Sequence, residues 1–566
     1  MAQGLRIDFW GGFSALRAHV HWGLTPVNLS GPSSDWTLAY DPPHGRLASI
    51  RATNAAVSMS RHCDVMDRVT NLLWQAGSTV VLEIDYGYDA AGMITSRVIR
   101  TPAAAKRASY AYDGLERLRA ETRGGATATY RYDAAGNRIA KRCGDWTVDY
   151  TRGPGNRLAS WAATSSNDFE SLRTFDVLGS SSEPIGTNDA FGYLQISNSL
   201  SCVTPEVSGT VFRAEDFVVG WSTQEVTAAI RDAAGNMGYA TNSLVLGVVT
   251  NAQYGHDAAG CVTNITCRSH AAGWDASLAW DGRYRLTSLT LGGLEIEHGY
   301  DLDGRRTRRE VRTSGATNTI DYIYDGEQVV AEIDESGTLR RTYVWAPGID
   351  RMLSFTDYDA GATNTYYALT DPQGTVHALL DETGALAESY EYDAWGRVEA
   401  VRDEHGDELT RSALANRYLW QGREYDWDLH AATGGYGLYY FRARWYDPIT
   451  GRWLSRDPIG ISGGLNQYVF CGNNPVNFAD PFGLDFVYIV DADAVKGHGH
   501  AAVITGPVNG QWRYDSFGKP KGSHSHGQYS FTSEQDALNF ARQHGYTHFA
   551  RWQTSPAQDA AAQARA

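Results

Sequence analysis

The side chains best suited to chemistry lie late in this chain, in two arrangements. The first is histidine. His498 and His500 stand two apart, His524 and His526 repeat that spacing, and His544 and His548 follow. On a strand, residues at i and i+2 share one face, so four imidazoles at these positions could meet around Zn²⁺. His500 also opens the apolar run "HAAVITG". A neutral imidazole near pH 7 is well suited to take a proton from a thiol, yet no cysteine follows Cys471. The second arrangement is aspartate before proline in the second half of the chain, at Asp371, Asp447, Asp457 and Asp480. Asp-Pro is ordinarily a turn former. Two carboxylates held together by a fold split their pKa values, so that one activates water and the other hands on a proton, which suffices to hydrolyse a peptide. Spacing alone selects no pair among the four.

The elements that must position these residues are repeats. "YGYDAAGMITSR" at Tyr86, "YAYDGLERLRAE" at Tyr110, "YRYDAAGNRIAK" at Tyr130, "YGHDAAGCVTNI" at Tyr254, "HGYDLDGRRTRR" at His298, "YIYDGEQVVAEI" at Tyr322 and "YEYDAWGRVEAV" at Tyr390 are copies of one unit. Each sets alternating large residues before an Asp-x-x-Gly turn and a second alternating run after it, which is a β-hairpin. Glycine permits positive φ at the turn, and the aspartate can accept the turn's backbone N–H groups. One hairpin cannot bury its aromatic face alone, so successive hairpins pair edge to edge into a long curling sheet that must close or expose an aggregating edge. The 32 Tyr, 17 Trp and 59 Gly among 566 residues fit many short strands and few long helices. The tyrosines and aspartates of the repeats are read as structural.

A net charge of -16 disfavours a nucleic-acid-wrapping surface. Six thinly spread cysteines without a CxxC suggest neither a zinc ribbon nor a disulfide framework; Cys261 and Cys267 could pair or lie side by side as buried thiols. No run of about 18 apolar residues offers a membrane-spanning helix. The opening "MAQGLRIDFWGG" is unlike a signal peptide, so export by a route without a cleaved leader, or absence of the true N-terminal part, is expected.

The repeats resemble the YD-repeat or RHS-repeat family of bacterial proteins over roughly residues 35–484, with a weaker stretch at about 160–250 that reads as degenerate repeats or an inserted strand-rich module. "LYYFRARWYDPITGRWLSRDPIG" and the following segment to "DPFGL" closely resemble the RHS-associated core. The resemblance implies a mainly β protein whose YD-repeat hairpins roll into a hollow β-shell, a cocoon plugged by the core segment. It further implies self-cleavage after the Leu of DPxGL, here between Leu484 and Asp485. The pair implied for that cut is Asp457 and Asp480, with Arg456 in the matching Arg position. Asp371 and Asp447 remain turn formers.

Residues 485–566 abandon the repeats and balance their charges, seven Lys and Arg against seven Asp and Glu. In the family this place carries a variable toxin domain. "GHGHAAVITGPVNGQWRYDSFG" reads as a strand, a turn at Gly-Pro and Asn-Gly, and a second strand. "HAAVITG" is similar to the His strand of permuted papain-like enzymes related to lecithin:retinol acyltransferase, which makes His500 the candidate base and leaves the cysteine to sequence beyond Ala566. The expected organisation is an N-terminal segment over 1–34, a repeat shell over 35–415, the core with its cleavage motif over 416–484, and a small α+β toxin-like domain over 485–566. The function implied is a polymorphic toxin whose shell stores a self-released effector, secreted or at the cell surface, with an immunity protein as partner and no cofactor. The alternative is a cell-surface YD-repeat protein that binds partners and carries no active cargo.

Overall fold

The computed structural model describes residues 36–39, 47–164, 251–268, 273–346, 350–358 and 362–484, less positions 54, 67, 103, 145, 462 and 463, and elsewhere the backbone of individual strands. One antiparallel sheet of 29 strands dominates. Each strand pairs with its neighbours in sequence, as Thr79–Tyr88 does with Val69–Ala76 before it and Ile94–Arg100 after it. The ladder skips one stretch: Leu158–Ser165 pairs directly with Val249–His256, Ser160 opposite Gln253. The strands between them form two separate three-stranded sheets, so the weak stretch of the repeats is an insertion between adjacent strands. At the other end, Arg17–His19 and Val27–Ser30 already pair into the main sheet, ahead of residue 35.

The repeat turn has one geometry. At Asp89 the carboxylate accepts the backbone N–H groups of Ala91 and Met93, both at 2.9 Å, while Gly92 donates to Asp89 O at 3.1 Å with φ at 89°. Where the sequence lacks the glycine, Glu116 and Tyr284 take the same left-handed backbone at φ 62° and 64°. The tyrosine before the aspartate ties each hairpin to an earlier one. Tyr88 Oη donates to Val69 O at 2.7 Å, Tyr132 to Leu118 O at 2.7 Å, and Tyr392 to Val376 O at 2.8 Å. Arginine completes the joint: Arg117 donates to Asp113 at 2.7 Å and to Asp133 O at 3.1 Å, its guanidinium 4.9 Å above Tyr132. Each such bond contributes about 1 kcal/mol net, and the contribution recurs along the sheet.

The sheet curls so that its early strands pack on late ones. Trp74, fully buried, donates its indole N–H to Thr370 O at 3.0 Å, and Trp36 donates to Ser354 Oγ at 3.4 Å. One apolar cluster joins Trp36, Leu72 and Ile84 to Leu353, Leu369 and Leu380, so the first strands pack on strands nearly 300 residues later. Among the described residues no helix is long and apolar enough to cross a membrane.

Residues 416–484 pack against this sheet as a small unit of their own, the plug. Their four-stranded sheet, Glu424–Tyr425, Tyr439–Phe441, Arg444–Asp447 and Arg452–Trp453, carries an aromatic cluster in which Tyr446 lies 4.3 Å from Phe470 and 5.6 Å from Trp420. The helix Trp427–Thr433 starts at Asp426, which caps Leu429 N–H at 2.9 Å, and ends at Gly434 with φ 72°. Shell arginines reach into the plug: Arg309 lies 2.9 Å from both Asp426 and Asp428, and Arg306 pairs with buried Glu424. Tyr254 of the shell donates to Asp447 at 3.0 Å.

Beyond the plug, five strands form a separate antiparallel sheet in the order Gln528–Phe531, Gln511–Phe517, His498–Val508, Val487–Val495 and His548–Arg551. The two strands expected there pair, and Val508 already lies opposite Gln511, with a register shift between Thr505 and Val508, so Gly506 and Pro507 fall inside the first strand.

Candidate functional site

Two of the aspartates that precede proline converge, through one arginine. Arg444 Nη1 lies 3.0 Å from Asp457 Oδ2, and Arg444 Nη2 lies 3.3 Å from Asp480 Oδ2. All three side chains are buried, Arg444 only 1% exposed. Arg444 comes from an inner strand of the plug sheet and stacks on Trp453 at 4.1 Å, which fixes the plane of its fork. Its Nε donates to Gly483 O, and its Nη1 also reaches Gln467 O at 3.4 Å.

Each carboxylate also starts a turn. Asp457 Oδ1 accepts Ile459 N–H at 3.0 Å, with Gly460 N–H on its carbonyl at 3.0 Å. Asp480 Oδ1 accepts Leu484 N–H at 2.8 Å, closing the DPFGL loop. Gly483 turns that loop at φ 69°, where a Cβ would stand 2.5 Å from Phe441 O. Leu484 is fully buried, and Asp485 lies outside the described residues.

Burial sets the electrostatics. The Asp480 carboxyl is pushed up to about 6, mainly by burial and further by the charge of Asp457, against the pull of Arg444 and of Leu484 N–H. The Asp457 carboxyl is likewise raised by burial, with Arg444 opposing. With Asp480 keeping its proton in mildly acidic solution and a second carboxyl on the same cation, the site can supply an acid and a base together.

Arg456 is half-buried and faces elsewhere. A Cβ at Gly260 would stand 2.5 Å from both Arg456 Nε and Tyr468 Oη, and Tyr468 donates to Gly260 O at 2.7 Å. The cation between the carboxylates is Arg444, which the sequence reading passed over. Asp371 and Asp447 are buried turn aspartates, Asp371 accepting Gln373 and Thr375 N–H groups at 2.9 Å and Asp447 accepting Ile449 N–H at 2.9 Å. Cys261 and Cys267 are buried, unbridged thiols.

In the C-terminal sheet His498 and His500 share one strand, their backbones opposite Val495 and Asp491. His524 and His526 lie outside the described residues, so the four-histidine arrangement does too.

A family model described as the Teneurin YD-shell matches residues 33–160. The double-stranded DNA deaminase toxin A of Burkholderia cenocepacia is 26% identical over 410 residues, 67% of this chain and 26% of that protein. The tRNA3(Ser)-specific nuclease WapA of Bacillus spizizenii is 32% identical over 213 residues, 36% of this chain and 8% of that protein. Toxin protein Tse5 of Pseudomonas aeruginosa is 28% identical over 414 residues, 67% of this chain and 25% of that protein. Among solved structures, TcdB2-TccC3 without its hypervariable C-terminal region aligns over 81% of this chain and 22% of that one, at 18% identity and a TM-score of 0.36. The chain thus spans about a quarter or less of the length of these curated relatives. With the Tyr-Asp turn written along one long antiparallel sheet, the similarity to these relatives supports an RHS/YD-repeat toxin family for the chain.

Proposed function

We propose that the chain is the shell and cleavage module of a polymorphic toxin, and that it cuts itself between Leu484 and Asp485 to release residues 485–566 as cargo. The observation that carries this reading is the shared guanidinium: Asp457 and Asp480 both rest on Arg444, and Asp480 holds the N–H of Leu484. In the cut, the ionised carboxylate of the pair takes a proton from water, the resulting hydroxide adds to the Leu484 carbonyl carbon, and the protonated carboxyl gives its proton to the Asp485 nitrogen as the C–N bond breaks. Leu484 leaves with a new carboxylate and Asp485 with a free amine. Arg444 keeps the pair together and offsets their repulsion, while burial keeps one of them protonated.

The toxin reading draws on relatives named as a deaminase toxin, a tRNA nuclease and a toxin protein, and on the change of architecture at the proposed cut. Such a protein acts outside the cell that makes it, and that cell carries an immunity protein against the cargo. In the cargo His500 is the candidate base.

The test is Asp480→Asn in the full chain, with Asp457→Asn beside it. Asn retains an Oδ1 that can accept Leu484 N–H and loses only the titrating oxygen. The parental chain runs as two fragments on a denaturing gel, ending at 484 and starting at 485, and each variant runs as one. Two fragments from either variant would overturn the assignment.

A further inference from the structure

A second arginine in the same hairpin holds the other half of the cleavage loop, and a shell aspartate holds that arginine. Arg442 sits at the turn between Tyr439–Phe441 and Arg444–Asp447 with φ 59°, a left-handed backbone that costs an arginine free energy unless the surroundings impose it. Its Nη1 donates to Pro481 O, its guanidinium lies 5.2 Å above Phe482, and the next residue, Ala443, donates its N–H to Phe482 O at 3.1 Å. Arg442 therefore grips the carbonyl of Pro481 and Arg444 that of Gly483. The backbone between Asp480 and Leu484 is fixed on both sides of Phe482.

Arg442 is fixed in turn from outside the plug. Asp350 belongs to the loop between the shell strands Leu339–Trp345 and Met352–Asp359. Its carboxylate takes Arg442 in a two-point grip, Nη2 to Oδ1 at 2.7 Å and Nη1 to Oδ2 at 2.9 Å, and also receives Arg423 Nη1 at 2.7 Å. Asp350 is buried and itself in the left-handed region at φ 60°. Its carbonyl is wedged against Gly374 of a shell turn and Gly422 of the plug, both at positive φ and both too close to it to admit a Cβ. Two strained residues, two glycines and a doubly paired buried carboxylate thus meet where the shell touches the plug. Burial alone would raise the Asp350 carboxyl, but Arg423 and Arg442 outweigh it and hold it below the usual carboxylate range, so it stays charged.

We propose that Asp350 is a positioning residue for the cut, acting through Arg442: only when the shell hairpin is seated between Gly374 and Gly422 is the 480–484 loop held in register with Asp457. Cleavage is then conditional on a closed shell, and cargo is released into a finished container rather than from a nascent chain. This rests on the self-cleavage reading above.

The experiment follows cutting of the full chain by pulse-labelled cell-free synthesis, for the parent, Asp350→Asn, Arg442→Gln, the double variant and Asp480→Asn. Displacing a reacting group by about 1 Å costs on the order of 100-fold, so each single variant is expected to cut roughly 10- to 100-fold more slowly. If the two residues act through each other, the double variant is no slower than the slower single one, whereas independent effects multiply. The pH at which the rate turns over stays at the parental value, because Asp457 and Asp480 are untouched, and shell melting and protease resistance are retained. Parental rates in a folded Asp350→Asn or multiplied losses in the double variant would each overturn the proposal. If Asp350→Asn does not fold, Arg442→Gln decides: a parental rate there overturns it as well. Cutting by Asp480→Asn would instead refute the aspartate pair itself, and so tells the two readings apart.

Discussion

Arg444 Nη1 lies 3.0 Å from Asp457 Oδ2, deep in the plug and with its other terminal nitrogen 3.3 Å from Asp480. One planar fork spans both carboxylates while its Nε holds Gly483 O. Lysine would keep the charge, yet an ammonium on a flexible stem cannot serve all three places. Arg444→Lys is therefore expected to cut roughly 10- to 100-fold more slowly than the parent in a pulse-chase on a denaturing gel, with full-length chain accumulating. A parental rate would mean that charge alone suffices and that the fork geometry is idle.

The pair should give the cut a pH dependence with a definite sign. A carboxyl raised to about 6 keeps its proton in mildly acidic solution and loses it as the pH passes that value. Above it Asp480 is ionised and no longer has a proton to give; in strong acid the base is protonated as well. The rate should fall as pH rises from 6 to 8 and fall again in strong acid, and the two apparent pKa values belong to the pair rather than to either residue. A rate that climbs steadily to pH 8 would exclude a protonated carboxyl as the acid.

Gly260 and Gly304 offer a matched comparison, since both end a repeat turn at nearly the same φ, 90° and 91°. Alanine at Gly304 meets open space, so it should cost only the left-handed backbone penalty of about 1–2 kcal/mol. Alanine at Gly260 meets Arg456 Nε and Tyr468 Oη at 2.5 Å and must displace the segment that leads into Asp457. Thermal melting should drop more for Gly260→Ala than for Gly304→Ala, and only the former should slow the cut. Equal effects would show that the RDPIG segment is indifferent to the shell turn beneath it.

How much of this was legible follows the range of each interaction. The Asp-x-x-Gly turn is local, so its aspartate acceptors and positive-φ glycine could be read from the repeats, as Asp89 and Gly92 bear out. The reach of Tyr132 to Leu118 O spans a whole hairpin and is invisible to a period of two, which tells the face of a side chain and not what lies across from it. The same limit hid the cation of the site. "FRARWYD" presents Arg442 and Arg444 as alternate residues of a strand, yet one turns the hairpin and the other bridges two aspartates brought in from later loops. Asp350 carried no signal at all, because it lies in a connection between repeats and takes its meaning from Gly374 and Gly422 far along the chain. The weak stretch could be read as degraded repeats or as an insertion, and only the direct pairing of Ser160 with Gln253 separates the two.

The curl of the sheet makes a prediction about the cargo. Trp74, buried and bonded to Thr370 O at 3.0 Å, ties early strands to late ones, and Tyr254 with Arg309 ties the shell wall to the plug. These contacts hold distant parts of the shell wall together and oppose the escape of a small domain. After cutting, residues 485–566 should therefore co-elute with residues 1–484 on a sizing column in native buffer and separate only in denaturant. Trp74→Ala removes a buried indole at a cost of about 3–5 kcal/mol and leaves Thr370 O without its donor, so it should lower the denaturant concentration at which the fragment escapes while the extent of cutting stays the same. Free separation of the parental fragments in native buffer would show that the sheet, though rolled, does not enclose its product.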